Sequence, residues 1–214
     1  EYGGRVSVNH ETNSGLFNFS FNASPRIIYR KNSSLDAFKW AADANPTTPI
    51  RDPEDPSLYY DFTGQQSDVN PLELLKLEKD GGETKLLDWD GTIKLNLLPL
   101  LAKGGNSIHS LNTQITFADQ QSDNFNYFYR PSTSTRAITN GFNGEANRSY
   151  DKYIQNSFEW IGNYLVEINS HKIGAVAGYS YQYFQNSGMS AANKDFASDA
   201  LTYNNLGSGE WANL

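Results

Sequence analysis

The feature that most constrains this chain is the stretch 156–184, which reads as two strands joined by a tight turn. In its first arm, aromatic, glycine and branched apolar residues fill alternate positions, and mainly polar residues fill the positions between them. The second arm repeats this period of two, and the turn is predicted at Asn169, Ser170 and His171. Each arm has about ten residues or more, the length that a tilted strand needs to cross a bilayer. The hairpin therefore predicts a transmembrane antiparallel sheet.

The same alternation recurs at several other places in the chain. Phe17, Phe19 and Phe21 alternate with polar residues, and further strands are predicted at 5–10, 84–97 and 111–118, the last continuing through 124–131. In the 84–97 strand, one face carries Asp88, Asp90 and Lys94, which would be costly in lipid and are expected to line a wet interior. About six strands are expected in total.

The predicted connections alternate in length along the chain. Long ones are expected at 32–83, 120–150 and 185–214, with shorter ones between them, including a turn at Gly104 and Gly105. The first long connection is predicted to hold a helix from Ser34 to Ala44 and a second that opens at Pro71 and closes at Gly81 and Gly82. Transmembrane barrels alternate short turns with long outer loops in this way, whereas a β-sandwich does not.

Composition excludes several classes of function. Acidic residues (24) outnumber Lys and Arg (17), giving a net charge of −7, and no basic run is present to bind nucleic acid. The absence of Cys excludes disulfides and thiolate chemistry. A mean hydropathy of −0.61 without an apolar run of about 18 residues argues against a membrane helix, but membrane strands that are apolar only at alternate positions are compatible with this hydropathy.

No pattern of residues predicts an enzyme, a cofactor or a metal site. The three His residues lack ligand spacing, and Asp88 and Asp90 are better explained as a polar strand face than as a pair for sugar chemistry. The acidic loop with Asp52, Glu54 and Asp55 lacks the spacing of an EF-hand, and no nucleophile or nucleotide motif occurs.

Aromatic residues in the predicted loops are the candidates for binding a ligand or partner. Tyr59, Tyr60, Tyr129 and Arg130 offer flat rings, hydroxyls and a guanidinium of the kind that contact sugars or proteins. For the rings at 127–129, an interfacial aromatic girdle is the alternative, because these residues are also predicted to lie on a strand.

Four sequence blocks carry a resemblance to a known family. They are NPTTPIRD at 45–52, NPLELL at 70–75 followed by KLNLLPLL, FYRPSTST at 128–135, and AGYSYQYFQNSGMSAANKDFASDALTYNNLGSG at 177–209. With these blocks the chain resembles the SusC/RagA family of TonB-dependent outer-membrane transporters of Bacteroidota, over essentially its whole length.

The resemblance implies a 22-stranded barrel with an N-terminal plug, which imports glycans or oligopeptides with a SusD-like lipoprotein and is energised by the TonB complex. Residues 1–214 are then expected to be an internal part of one such barrel domain, without the plug or the TonB box, in the outer membrane of a Gram-negative cell. The alternative is a soluble or secreted carbohydrate-binding β-sandwich, and a secreted glycosidase comes third.

Overall fold

A computed structural model describes most of the chain. The described residues are 1–13, 15–31, 37–62, 64, 69–97, 108–168 and 170–213. The strands are β1 (Tyr2–Gly3), β2 (Val6–Glu11), β3 (Phe17–Lys31), β4 (Lys79–Asn96), β5 (Ile108–Arg130), β6 (Glu145–Ile168), β7 (His171–Phe196) and β8 (Gly209–Asn213). The α-helices are α1 (Ala37–Asp43), α2 (Pro71–Leu77) and α3 (Thr135–Thr139), and two 3-10 helices span Asp199–Asn204 and Leu206–Ser208.

All eight strands lie in one antiparallel sheet, which confirms the predicted fold class. The order is β1-β3-β4-β5-β6-β7-β8, with β2 also paired to β3, so the described strands form an open path from β1 to β8 and not a closed ring. The two extra strands are short, two residues for β1 and five for β8, and the other six are those that the sequence predicts. Among the described strands, no second sheet faces the first, as a sandwich would require.

A tight turn fixes the register of the first long hairpin. Val8 pairs with Phe21, and His10 pairs with Phe19, so the two strands match residue by residue. In the turn, the N–H of Thr12 donates to the carbonyl of Phe17 at 3.0 Å, and the N–H of Gly15 donates to the carbonyl of Thr12 at 2.8 Å. Gly15 has a φ of 66°, a left-handed conformation that costs glycine little, so the turn needs this residue type.

The chain divides into two compact units. Unit 1 comprises Glu1–Ile28, Lys85–Asp123 and Lys152–Ser187. Unit 2 comprises Tyr29–Thr84, Asn124–Asp151 and Gly188–Leu214. The connections that the sequence predicts as long, with all the helices, belong to unit 2, and the connections between β2 and β3, β4 and β5, and β6 and β7 belong to unit 1.

In unit 1, aromatic rings lie side by side on one face of the sheet. Phe21 contacts Trp89 with ring centroids 6.3 Å apart, and Phe158 contacts both Phe117 at 5.0 Å and Tyr179 at 6.1 Å. These rings are not buried by another layer, since Phe117 is 48% exposed and Tyr179 is 58% exposed. The predicted ring-rich face is therefore present and uncovered in this unit.

The opposite face of unit 1 is polar. Asn22 donates to Asp90 at 2.9 Å, and the hydroxyls of Thr92 and Thr116 lie 3.2 Å apart. Lys172 and Glu167 form an exposed ion pair at 2.6 Å. Because Asn22 and Phe21 are consecutive residues of one strand, their side chains point to opposite faces, and the same holds for Asp90 and Trp89. The inside/outside alternation predicted from the sequence matches this arrangement.

Unit 2 contains two small buried clusters. One joins Ala37 of α1 to Val69 and Leu74, with Trp40 packed against it. The other joins Tyr129, Ala146 and Phe196 from three neighbouring strands, with Tyr203 and Leu206 packed against it. The described helices include none that is long and apolar enough to cross a membrane.

Two of the predicted loop boundaries are wrong, because β6 and β7 are longer than the alternation indicates. β5 runs to Arg130, as the predicted continuation of its strand through 124–131 indicates, whereas β6 begins at Glu145 and β7 continues to Phe196, so the connections predicted at 120–150 and 185–214 are much shorter. The added strand residues are largely polar, and side chains such as Gln121 and Asp119 hydrogen-bond each other along the strand at 3.0 Å. Backbone hydrogen bonds between neighbouring strands stabilise such segments, and these bonds form without an alternation of apolar side chains.

The second predicted helix also ends earlier than expected. α2 stops at Leu77, and Gly81 and Gly82 are strand residues of β4, not a helix terminus. A Cβ on Gly82 would lie 2.4 Å from the carbonyl oxygen of Phe125, so this glycine permits close approach of two strands. The first helix is confirmed over Ala37–Asp43, whereas its predicted start at Ser34, the turn at Gly104 and Gly105, and Asn169 lie outside the described residues.

Candidate functional site

All four residues predicted to contact a ligand or partner belong to unit 2. Tyr59 and Tyr60 lie in the connection between β3 and β4, whereas Tyr129 and Arg130 are the last two residues of β5. Tyr59, Tyr129 and Arg130 are buried, and Tyr60 is partly buried. The contacts of each residue within the chain show its structural role.

Tyr59 and Tyr60 stabilise a small hairpin within the first long connection. The guanidinium of Arg51 lies 3.8 Å from the centroid of the Tyr59 ring, and the N–H of Tyr60 donates to the carbonyl of Ile50 at 3.1 Å. The buried amide of Asn70 then donates to the carbonyls of both Ile50 and Tyr60, at 2.8 and 3.2 Å. One side chain thereby holds both arms of the hairpin.

Asn70 also begins α2. Its Oδ1 accepts hydrogen bonds from the N–H groups of Leu72 and Glu73, at 3.2 and 3.3 Å, and Pro71 occupies the first turn. This is the N-cap arrangement that an Asn-Pro pair favours. The same residue therefore couples the helix start to the hairpin that carries Tyr59 and Tyr60.

Arg130 is the centre of a buried ionic cluster. Its Nε donates to Oε1 of Glu78 at 2.6 Å, and its Nη1 donates to Oε1 of Glu145. Burial raises the pKa of the Glu78 carboxyl, and the hydrogen bond and charge of Arg130 only partly offset this effect. The cluster joins the residue after α2 to the end of β5 and the start of β6, and it engages Nε and Nη1 of the predicted contact residue Arg130.

Tyr129 belongs to a second polar cluster, centred on Asp199. The Tyr129 hydroxyl donates to Oδ1 of Asp199, and the Ser132 hydroxyl donates to Oδ2 at 2.7 Å. Burial raises the pKa of Asp199, but the hydrogen bonds from Tyr129 and Ser132 outweigh burial and leave the pKa below its ordinary value. Because Tyr129 is only 2% exposed, its ring contacts protein rather than a membrane surface in this structure.

Tyr127 and Phe128 carry the other two rings of the predicted girdle, and the Phe128 ring lies 5.1 Å from the Arg130 guanidinium. Tyr127 stacks on Tyr203 with the ring centroids 3.9 Å apart and the planes inclined by 19°. The segment that contains Tyr203 also has an unusual backbone, since Thr202 has a φ of 50°. A β-branched residue rarely adopts this conformation, so contacts at Asp199 and Tyr203 hold it in place from both sides.

Sequence reasoning missed the buried polar residues that organise unit 2. Asn70, Glu73, Glu78 and Asn193 are all at least nine-tenths buried, yet they lie in or beside segments predicted only as loops, helices or turns. The role of Asn70 could have been predicted, because Asn before Pro favours the start of a helix. No sequence pattern points to Glu73, Glu78 or Asn193, because their hydrogen-bond partners are distant in the sequence or are backbone groups.

Two residues of the acidic loop that the sequence raised as a possible calcium site, Asp52 and Asp55, accept local hydrogen bonds. Asp52 accepts from the N–H groups of Glu54 and Asp55, and Asp55 accepts from both the N–H and the hydroxyl of Ser57. The two bonds from Ser57 hold the pKa of Asp55 below its usual value. Within the described part of the chain, no three His, Asp or Glu side chains are grouped so as to hold a metal ion.

Comparison with models of known protein families and with curated proteins gives no match for this chain.

Proposed function

We propose that this chain is part of the barrel of an outer-membrane, TonB-dependent importer that takes up glycans or oligopeptides with a SusD-like lipoprotein. The proposal includes no catalytic step. The observation that carries it is the uncovered ring-rich face of unit 1, where the rings of Phe117, Phe158 and Tyr179 contact one another while remaining accessible.

An exposed face of this kind is costly in water. Monomeric soluble proteins rarely leave large contiguous apolar patches uncovered, and burial of apolar area contributes about 25 cal/mol per Å². Phe117, Trp160 and Tyr179 are 48%, 36% and 58% exposed, so much of their surface remains to be covered. Lipid acyl chains would cover it, and the polar residues on the opposite face would then line a water-filled interior.

The lengths of the strands and connections also support a bilayer location. A strand crosses the hydrocarbon with about 9–11 residues, and β4–β7 each contribute a stretch of at least this length to unit 1. The connections within unit 1 are short or moderate, whereas those within unit 2 contain helices and buried clusters. Outer-membrane barrels have short turns at one membrane surface and elaborate loops at the other.

The location is tested by fractionating cells that express the protein containing this chain. We expect the protein to sediment with outer membranes and to be released by detergent, but not by high salt or alkaline carbonate. A soluble periplasmic protein serves as the control for leakage. Recovery of intact protein from the periplasm or the medium without detergent would overturn the proposal.

Transport and its partners need a separate experiment. We expect a SusD-like lipoprotein to copurify with the protein after mild detergent extraction, and deletion of TonB to abolish uptake of a labelled glycan or oligopeptide. Uptake that persists without TonB would refute the energised mechanism while leaving the outer-membrane location standing.

A further inference from the structure

Unit 2 contains a cavity of about 360 Å³ that combines apolar side chains with one cation. Its lining includes Phe125, Arg148, Tyr150, Met189, Ala191 and Leu206. This volume lies at the lower end of the range for small-molecule sites. We call it the Arg148 cavity.

Neighbouring strands of the sheet form the floor of the Arg148 cavity. Arg148 and Tyr150 alternate along β6 and so share a face with the buried Ala146. The amide of Asn126 on β5 donates to the hydroxyl of Ser149 at 3.4 Å, which places β5 beside β6 at this level. The floor is therefore held by strand pairing and does not depend on a flexible loop.

One wall of the cavity is also fixed by packing and hydrogen bonds. Leu206 packs against the buried cluster of Tyr129, Ala146 and Phe196. Its carbonyl accepts a hydrogen bond from the buried amide of Asn193 at 2.9 Å, and the same amide donates to the carbonyl of Gly209 at 3.0 Å. Asn193 thereby fixes the segment that closes the cavity.

Arg148 supplies the charged group of the cavity, whose lining also includes Ser149 and Ser190. Its guanidinium lies 4.8 Å from the centroid of the Phe125 ring, and among the described residues no carboxylate lies within ion-pair distance of it. Arg130, in contrast, contacts two carboxylates. The planar donors of Arg148 are therefore available to an anion, and phosphate fits them well.

The apolar part of the lining suits a hydrocarbon chain. Met189 is 73% exposed, and Tyr150 is 39% exposed, beside the rings and aliphatic groups of Phe125 and Leu206. Methionine adapts its shape to irregular apolar ligands, and Tyr favours the boundary between lipid and water. An inorganic anion would use Arg148 and leave this apolar surface uncovered.

We infer that the Arg148 cavity binds an anionic lipid, with the lipid phosphate at the Arg148 guanidinium and an acyl chain along Met189, Phe125 and Leu206. The inference rests on the proposed function in one respect only, because a membrane location would supply the lipid. Binding itself depends on the cavity and is measured independently of where the protein lies in the cell.

The test is lipid binding to the purified protein that contains this chain, in a non-ionic detergent. Phosphatidylglycerol and phosphatidylcholine with identical acyl chains are titrated and followed by native mass spectrometry. We expect preferential binding of phosphatidylglycerol. Arg148→Gln should weaken this binding roughly tenfold or more, because charge-assisted hydrogen bonds are lost, and should remove the preference over phosphatidylcholine.

Three control variants distinguish a lipid site at Arg148 from non-specific adhesion of lipid to the protein. Arg148→Lys keeps the charge and should retain the preference for phosphatidylglycerol, and Arg136→Gln, on the exposed surface of α3, should change nothing. Met189→Ser should weaken binding of both lipids. Equal binding of the two lipids, full binding by Arg148→Gln, or displacement of phosphatidylglycerol by an equal concentration of inorganic phosphate would overturn the inference.

The two proposals fail in different ways. A protein found in the soluble periplasm that still prefers phosphatidylglycerol would refute the importer but not the lipid site. A protein found in the outer membrane that binds both lipids equally would refute only the lipid site.

Discussion

The carboxylate of Glu73 on α2 accepts hydrogen bonds from both the N–H and the hydroxyl of Thr135, the first residue of α3. Ser134 occupies the N-cap position of α3, but its side chain makes no capping bond. The negative charge at the start of α3 therefore comes from another helix. This contact stabilises α3, which has only five residues and would not persist alone.

The first prediction concerns this contact. Glu73→Gln should destabilise the α2–α3 region by about 1–3 kcal/mol, because the buried bonds to Thr135 lose a charged acceptor. Hydrogen exchange should then accelerate in Thr135–Thr139 before it changes in β5 or β6. Glu54→Gln, in the exposed acidic loop, is the matched control and should have no such effect. Unchanged exchange in α3 would contradict the capping role.

The second prediction tests whether the ring-rich face of unit 1 is the face that would meet lipid under the proposed function. Phe19→Arg should destabilise the protein by about 2–4 kcal/mol if Phe19 lies at the bilayer midplane, because the charge would enter hydrocarbon. Ser20→Arg is the control on the opposite face and should change the free energy of unfolding only slightly. Urea unfolding in lipid bilayers measures both, and equal tolerance at the two positions would show that the assignment of faces is wrong.

The third prediction concerns the buried cluster around Arg130. Arg130→Met should cost about 3–5 kcal/mol near neutral pH, because Glu78 and Glu145 would be left without their cation. The unpaired Glu78 should then have a pKa raised further, so stability of the variant should increase as the pH falls and Glu78 takes up a proton. Arg5→Met, at an exposed position in unit 1, is the control, and pH-independent instability of Arg130→Met would argue against a charge effect.

The fourth prediction follows from the depressed pKa of Asp199. A lowered folded-state pKa contributes stability above the ordinary value of 3.8, and this contribution is lost as the pH falls through the folded-state pKa. Proteolysis within 197–208 should therefore accelerate on acidification below about pH 4. In Asp199→Asn the segment should be more easily cleaved at neutral pH, with a smaller further change on acidification. The same acid response in both proteins would exclude Asp199 as its source.

The fifth prediction is that the isolated 214-residue chain does not remain monomeric in water. Most of β7 lacks a partner strand on one side in the described structure, since only Ala192, Asn193, Lys194 and Phe196 pair with β8. This edge and the exposed rings should drive aggregation when the chain is expressed without detergent. A soluble monomer with a cooperative thermal transition would count against the membrane assignment.

The sequence predicts the sheet well where side chains alternate cleanly. Phe19 and Ser20, or Trp89 and Asp90, differ sharply in polarity, so each strand and its two faces are readable from a period of two. The polar extensions of β6 and β7 lack this contrast, and backbone hydrogen bonds between neighbouring strands stabilise them instead. The contact between Glu73 and Thr135 in unit 2 was beyond prediction because these residues are 62 positions apart in the sequence.

The segregation of connections between the two units has a consequence for how such a protein changes through evolution. Turns such as that between β2 and β3 hold strand register, so an inserted residue there would disturb the pairing of these two strands. The connections of unit 2 carry their own buried clusters, so one can lengthen or be replaced without shifting the ladder. Descendants of one ancestor can therefore vary these connections widely while inheriting the same strand scaffold.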